Sequence, residues 1–130
     1  MIPEMLEDYP EVPVGWHELF NSMCKELFEY TKVNGLPEVK IIEAKEKYGE
    51  LRIYVGEEFS DDTTDAIIRK WCEKSKSVCC FCGAANARTT KSGQIIPVCR
   101  TCWEKKLHRN PDAYVRETAD AEVGERHGRT

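Results

Sequence analysis

Two Cys-x-x-Cys pairs constrain this chain more than any other feature: Cys79-Cys-Phe-Cys82 and Cys99-Arg-Thr-Cys102, with sixteen residues between Cys82 and Cys99. A two-residue gap lets the backbone curl until both sulfurs face one point, and a separation of 15–20 residues leaves room for a short hairpin between the pairs. Gly83, directly after the first pair, permits the positive φ that such a curl requires. Lys91-Ser-Gly93 reads as a turn and Ile95-Ile96 as a strand returning from it. Trp103 to Arg109 reads as a helix, with the second pair at its start. The spacing therefore predicts one structural zinc ion bound by Cys79, Cys82, Cys99 and Cys102 in a treble-clef-like finger. Four sulfur ligands would close the coordination sphere to substrate and water. The alternative for these residues is a set of ordinary or redox-active thiols.

The chain has seven cysteines in 130 residues. Its start, Met-Ile-Pro-Glu-Met-Leu-Glu-Asp, is acidic where a signal peptide would be basic. No apolar run approaches the roughly 20 residues that cross a bilayer. These features predict a cytoplasmic protein without a membrane partner, where paired cysteines mean metal more often than disulfides. Cys24 and Cys72 fall on apolar helix stripes and read as small buried hydrophobes. Cys80 lies too close to Cys82 for good bite geometry and is expected to pack or point outward. His17, His108 and His127 read as surface histidines.

Ahead of the finger, residues 1–14 hold three prolines and several acids and read as an extended lead-in. Trp16, Leu19, Phe20, Met23, Cys24, Leu27 and Phe28 recur at helical steps and define one apolar stripe. Asn34-Gly35 and Pro37 end that helix. Two β-rich runs, 38–47 and 51–55, flank Tyr48-Gly49-Glu50 and predict a hairpin with Leu51, Ile53 and Val55 on one face. Ser60-Asp61-Asp62 supplies capping oxygens for a second helix bearing Ile67, Ile68, Trp71 and Cys72, expected to reach about Lys76. The fold class that follows is α+β: helix, β-hairpin, helix, then the zinc finger. The expected organisation is a lead-in at 1–14, a body at 15–77, a finger at 78–116 packed on the body, and a flexible tail at 117–130.

The net charge of −4 hides an asymmetry. Residues 1–73 balance at −9, residues 74–109 at +7 and residues 110–130 at −2. A zinc ion with four thiolates would lower the middle segment to about +5. An acidic body thus carries a basic finger. Arg88, Lys91, Arg100, Lys105 and Lys106 are candidate phosphate partners, as are Lys74, Lys76 and Arg109, and Phe81 and Trp103 are candidate stacking surfaces. Lys45, Lys47, Arg52 and Tyr54 form a second candidate recognition face on the hairpin. The bland alternative for that face is a solvated strand end with Arg52 in a cross-strand ion pair.

Taken together, Gly15-Trp16-x-x-Leu19, the box Lys45-Glu-Lys-Tyr-Gly-Glu-Leu-Arg-Ile-Tyr54 and Ser77-Val-Cys79-Cys-Phe-Cys82-Gly83 resemble a family of small uncharacterised proteins of bacteria and their phages. The resemblance spans residues 15 to 103. Members often carry Gly where this chain has Glu50, and His where it has Cys102; the latter exchanges one zinc ligand for another. The resemblance implies this architecture and a phage or prokaryotic origin, but no activity.

Two functions follow as expectations. One is a non-catalytic adaptor or inhibitor whose acidic body docks onto a basic surface of a protein, such as a nucleic-acid-handling or defence protein, in the host cytoplasm if phage-encoded. The other is direct DNA or RNA binding through the basic 74–109 segment. No small-molecule substrate is evident. A metal-dependent nuclease built on Glu43, Glu46 and Glu50 ranks last, since no catalytic signature accompanies them.

Overall fold

The computed structural model describes residues 8–119. A 3-10 turn at Val14–Trp16 leads into helix α1 (His17–Val33). Strands β1 (Ile41–Lys47) and β2 (Glu50–Val55) form an antiparallel hairpin, followed by helix α2 (Asp62–Ser75). Among the described residues, short strands β3 (Arg88–Thr90) and β4 (Pro97–Val98), helix α3 (Arg100–Lys105), a second 3-10 turn (Pro111–Ala113), helix α4 (Tyr114–Glu117) and strand β5 (Thr118–Ala119) follow. The fold is α+β, as the patterning predicts.

The α1 stripe is buried as its spacing requires: Trp16, Leu19, Phe20, Met23, Cys24 and Leu27 all lie in the larger core. Phe28 departs from it. It is 41% exposed and lines a small open cavity with Glu38, Val39 and Ile41. Gly35 takes φ +64 beyond the helix, and Leu36 N–H donates to the Thr31 carbonyl at 2.8 Å, closing the last turn. At the start of α2, the Thr64 N–H donates to Asp61 Oδ1 at 2.7 Å while the Asp61 N–H donates to Thr64 Oγ1 at 2.9 Å. This reciprocal cap uses threonine at the third position instead of the usual Glu or Gln.

In the hairpin, Ala44 faces Ile53 and Glu46 faces Leu51, while Lys45 faces Arg52 and Lys47 faces Glu50. Ala44 and Leu51 enter the core, so the alternate positions form an outer face. A register irregularity between Ile41 and Glu43 leaves Ile42 68% exposed. Helix α2 lies along β2, where the Leu51 N–H donates to Ser75 Oγ at 2.9 Å. Glu26 on α1 accepts from Lys70 Nζ and Trp71 Nε1, both at 2.7 Å, tying the helices together.

A second sheet, in the order β4-β3-β5, belongs to the cysteine-rich third of the chain. Two expectations are corrected there. The returning strand is Pro97–Val98 instead of Ile95–Ile96, since the Thr90 hydroxyl takes over pairing near the turn: it donates to the Gln94 carbonyl and accepts from the Ile96 N–H, each at 2.9 Å. The first residues assigned to a tail are structured: Thr118 is 1% exposed, and β5 pairs with β3. Residues 120–130 of that tail lie outside the described residues. The lead-in is anchored from Tyr9, whose hydroxyl donates to the Ile41 carbonyl at 2.6 Å, and Val12 is buried.

The two halves meet through Gly15-Trp16. The Gly15 N–H donates to the Cys80 carbonyl at 2.9 Å, and Trp16 Nε1 donates to the Val78 carbonyl at 2.8 Å. A Cβ on Gly15 would stand 2.1 Å from the Cys79 carbonyl oxygen, so no side chain fits there. Phe81 packs against both cores and bridges them.

Gly15→Ala is expected to cost at least about 2–3 kcal/mol by forcing the knuckle away from α1, measured by urea unfolding of the metal-loaded protein. Hydrogen bonds from Lys70 and then Trp71 hold the Glu26 carboxyl below its ordinary value. Its contribution is present above the unfolded carboxylate range and lost as pH falls through the lower folded value. Glu26→Gln should therefore reduce melting temperature at pH 7 and leave it unchanged at the acid end of that window. An equal loss at both pH values would count against this link.

Candidate metal centre

Cys79, Cys82, Cys99 and Cys102 come together. Their sulfurs all lie within 4.8 Å of one another, and Cys82 Sγ is 3.6 Å from Cys99 Sγ. Four sulfurs placed tetrahedrally about 2.3 Å from an ion would stand about 3.8 Å apart, so the four positions suit a single ion. Among the described residues this is the group of Cys, His, Asp and Glu that gathers at ligand spacing. The four residues could hold one metal ion.

Local sequence explains the geometry. The Gly83 N–H donates to the Cys79 carbonyl at 2.9 Å, and Gly83 takes φ +84, which turns the chain so that Cys82 returns toward Cys79. Cys79 N–H donates to the Ala84 carbonyl at 2.8 Å, and Cys80 N–H to the Pro97 carbonyl at 3.0 Å, tying the knuckle to β4. Cys99 is the N-cap of α3, and its sulfur accepts from the Cys102 N–H at 3.5 Å. Knuckle, short hairpin and ligand-bearing helix follow one another in the order expected of a treble-clef-like finger. Helix α3 is shorter than its pattern suggests. It ends at Lys105, and the exposed His108 takes φ +54.

The electrostatics of the thiols differ. Burial is the largest influence on Cys79 and raises it, yet backbone N–H groups of Cys99, Cys82 and Phe81 together bring it below the ordinary thiol value. Burial pushes Cys99 upward, partly offset by the Cys102 N–H, and pushes Cys102 upward with reinforcement from the neighbouring sulfurs. A cation at the centre would reverse that mutual repulsion, displacing the thiol protons. Cys79, Cys99 and Cys102 are buried, and Cys82 is exposed.

Cys80 turns away from this centre into the larger core at 7% exposure, where burial raises its thiol to about 12. Cys24 is buried and Cys72 half-buried, each also raised to about 12 by burial. His17 is half-buried, with Nε2 3.2 Å from the Val12 carbonyl oxygen; His127 lies outside the described residues.

The candidate binding residues fare unevenly. Trp103 is not a stacking surface: it is 0% exposed, with its ring against Tyr114 and Nε1 donating to the Asn110 carbonyl at 2.7 Å. Its position on the α3 face that covers the second core, three residues past the Cys99-Arg100 helix start, explains this. Phe81 is half-buried between the cores. Lys91, Arg100, Lys105 and Lys106 are exposed, and Arg88 is half-buried. On the hairpin's outer face, Lys45 Nζ lies 3.3 Å from Glu43 and 5.7 Å from the Tyr54 ring centre. Arg52 Nε lies 3.3 Å from Glu50, a pairing along its own strand instead of across the hairpin. Lys47 sits over the Tyr48 ring. Glu43 and Glu50 are thus engaged with basic neighbours, and Glu46 accepts from the Gly49 N–H at 2.8 Å; these carboxylates do not gather at ligand spacing.

Sequence reasoning did not single out Tyr48. With Gly49 it forms a two-residue turn, both residues having positive φ (+55 and +82), the type I′ pattern. The sequence offered only the Gly-containing break at 48–50; the two-residue turn appears once Glu50 joins β2. Among the described residues no helix is long and apolar enough to cross a membrane. Neither the family models, the curated proteins nor the solved structures compared with this chain give a match.

Purified protein should carry one metal ion per chain. Cys102→Ser and Cys79→Ser should lose it, whereas Cys80→Ala should retain it, as read by elemental analysis and native mass spectrometry. Retention by Cys102→Ser with loss in Cys80→Ala would reassign the ligand set.

Proposed function

We propose that this chain is a non-catalytic zinc protein of phage or prokaryotic origin that acts in the cytoplasm as an adaptor or inhibitor, binding a protein through its hairpin. Four thiolates at single-ion spacing are the donor set of structural zinc, and they leave no ligand position for substrate. The zinc finger then serves to hold the body in shape, and recognition falls to the surface.

The observation that carries this reading is Tyr48. It is 70% exposed at the tip of the hairpin and sits in the left-handed region. That conformation costs an L-residue about 1–2 kcal/mol, and Asn or Gly would be at ease there. Little packing offsets the cost at this exposure. Aromatic residues held in strained, exposed positions are suited to insertion into a partner. Tyr54, 42% exposed, with Lys45 and Arg52 extends the same surface along the outer face. The mixed charges there favour a protein surface over a polyanion.

A second reading, direct nucleic-acid binding, is favoured by Lys91, Lys105 and Lys106. All three are exposed and make no ion pair among the described residues. The burial of Trp103 removes its strongest stacking group.

Tyr48→Asn separates the readings. It should raise stability by about 1 kcal/mol in denaturant unfolding and abolish retention of a single stoichiometric partner from nuclease-treated bacterial lysate. If wild type and variant retain the same material, or nuclease removes it, the adaptor reading fails. Salt-steep binding to DNA or RNA would then support the second.

A further inference from the structure

We infer that the cleft between β3 and the start of α3, lined by Ser77, Asn86, Arg88, Arg100 and Tyr114, is a binding site for a phosphate-type oxyanion. The cleft measures about 350 Å³ and opens to solvent, with no carboxylate among its lining residues. It is separate from the hairpin face and stands whether or not that face binds a protein.

Strand pairing sets the first cation in place. Arg88 faces Val98 across β3 and β4, which fixes its backbone, and its side chain is half-buried. Arg88 Nε is shut off from solvent without an acceptor, and among the described residues its guanidinium has no ion-pair partner. A guanidinium cannot shed its proton to escape that position. Leaving such a donor unmade is unfavourable, and an arriving anion that lets the fork readjust would relieve it.

The second cation is preorganised. Arg100 lies 5.0 Å over the Tyr114 ring centre, and its Nη1 donates to the Pro111 carbonyl at 3.1 Å, leaving other N–H groups free. Tyr114 is itself fixed, because its hydroxyl donates to the buried Val98 carbonyl at 2.7 Å. Asn86 adds an exposed amide at the rim. Two guanidinium forks offer more donors than the two oxygens of one carboxylate can accept. A tetrahedral oxyanion, with acceptors on every side, can engage both forks and the amide together. A free phosphate and one borne by a nucleic-acid backbone share the chemistry of recognition, and the experiment below tells them apart.

One rival role is specific: Arg88 and Arg100 as mere counter-charges to the neighbouring thiolates, since Arg100 follows Cys99 directly. The experiment uses metal-loaded, ¹⁵N-labelled protein and follows arginine Nε–Hε resonances during titration with inorganic phosphate, against chloride at matched ionic strength. The expected result is a saturable shift of Arg88 and Arg100 with phosphate and none with chloride. Arg88→Gln and Arg100→Gln should each weaken phosphate at least about fivefold while metal content stays at one per chain. Arg100→Gln, at an exposed position, guards against misfolding of the Arg88 variant. A short DNA duplex that shifts the same resonances and competes with phosphate identifies a backbone source; phosphate binding without DNA competition identifies a small phosphate-bearing ligand. Either outcome sustains the site. Absence of saturation by both anions overturns it, as does metal loss from the variants without any change in phosphate affinity.

Discussion

The structure depends on how closely two backbones approach where α1 begins. Gly15 lies against the Cys79 and Cys80 carbonyls, and a hydrogen bond from Gly15 and another from the Trp16 indole cross that contact. The first cysteine pair is therefore held by the body as well as by its own turn. Gathering four sulfurs in the finger and docking α1 on the hairpin are linked through the same few peptide units. The fully buried Trp16 and the bridging Phe81 give that junction its apolar filling.

Around this junction, burial sorts the cysteines by role. Cys79 and Cys80 are neighbours, yet their side chains serve different cores: one joins the sulfur cluster, the other the body. The contiguous Cys-Cys pair thus supplies one candidate ligand and one core residue. The same logic governs the basic residues. Lys76 and Arg52 are drawn into ion pairs with the acidic body, whereas the finger's far side keeps exposed lysines.

Much of the fold was legible because its signals are local. The α1 stripe, the Asn34-Gly35 stop, the Asp61 cap and the presence of the hairpin each depend on residues a few positions apart. The convergence of Cys79, Cys82, Cys99 and Cys102 was equally legible, since a two-residue gap is a local geometric requirement. Failures occurred where long-range packing decides. Phe28 lies on the apolar stripe, but no distant segment buries it fully. Ile95-Ile96 has strand composition, yet the Thr90 hydroxyl replaces ladder partners there. Trp103 carries a stacking-capable ring, but the second core consumes it. Thr118 is polar and near the end of the described chain, yet it closes the edge of β3.

Sequence by itself determined the element order, the α+β class and the four cysteines that converge, because periodicity, capping and ligand bite act over short spans. Tertiary structure alone decided which surfaces remain. It buried Trp103, paired the hairpin charges along their own strand, exposed Tyr48 in a left-handed turn and left Arg88 beside Arg100 without a carboxylate. Those outcomes depend on which distant segments cover a residue, and no local pattern encodes that.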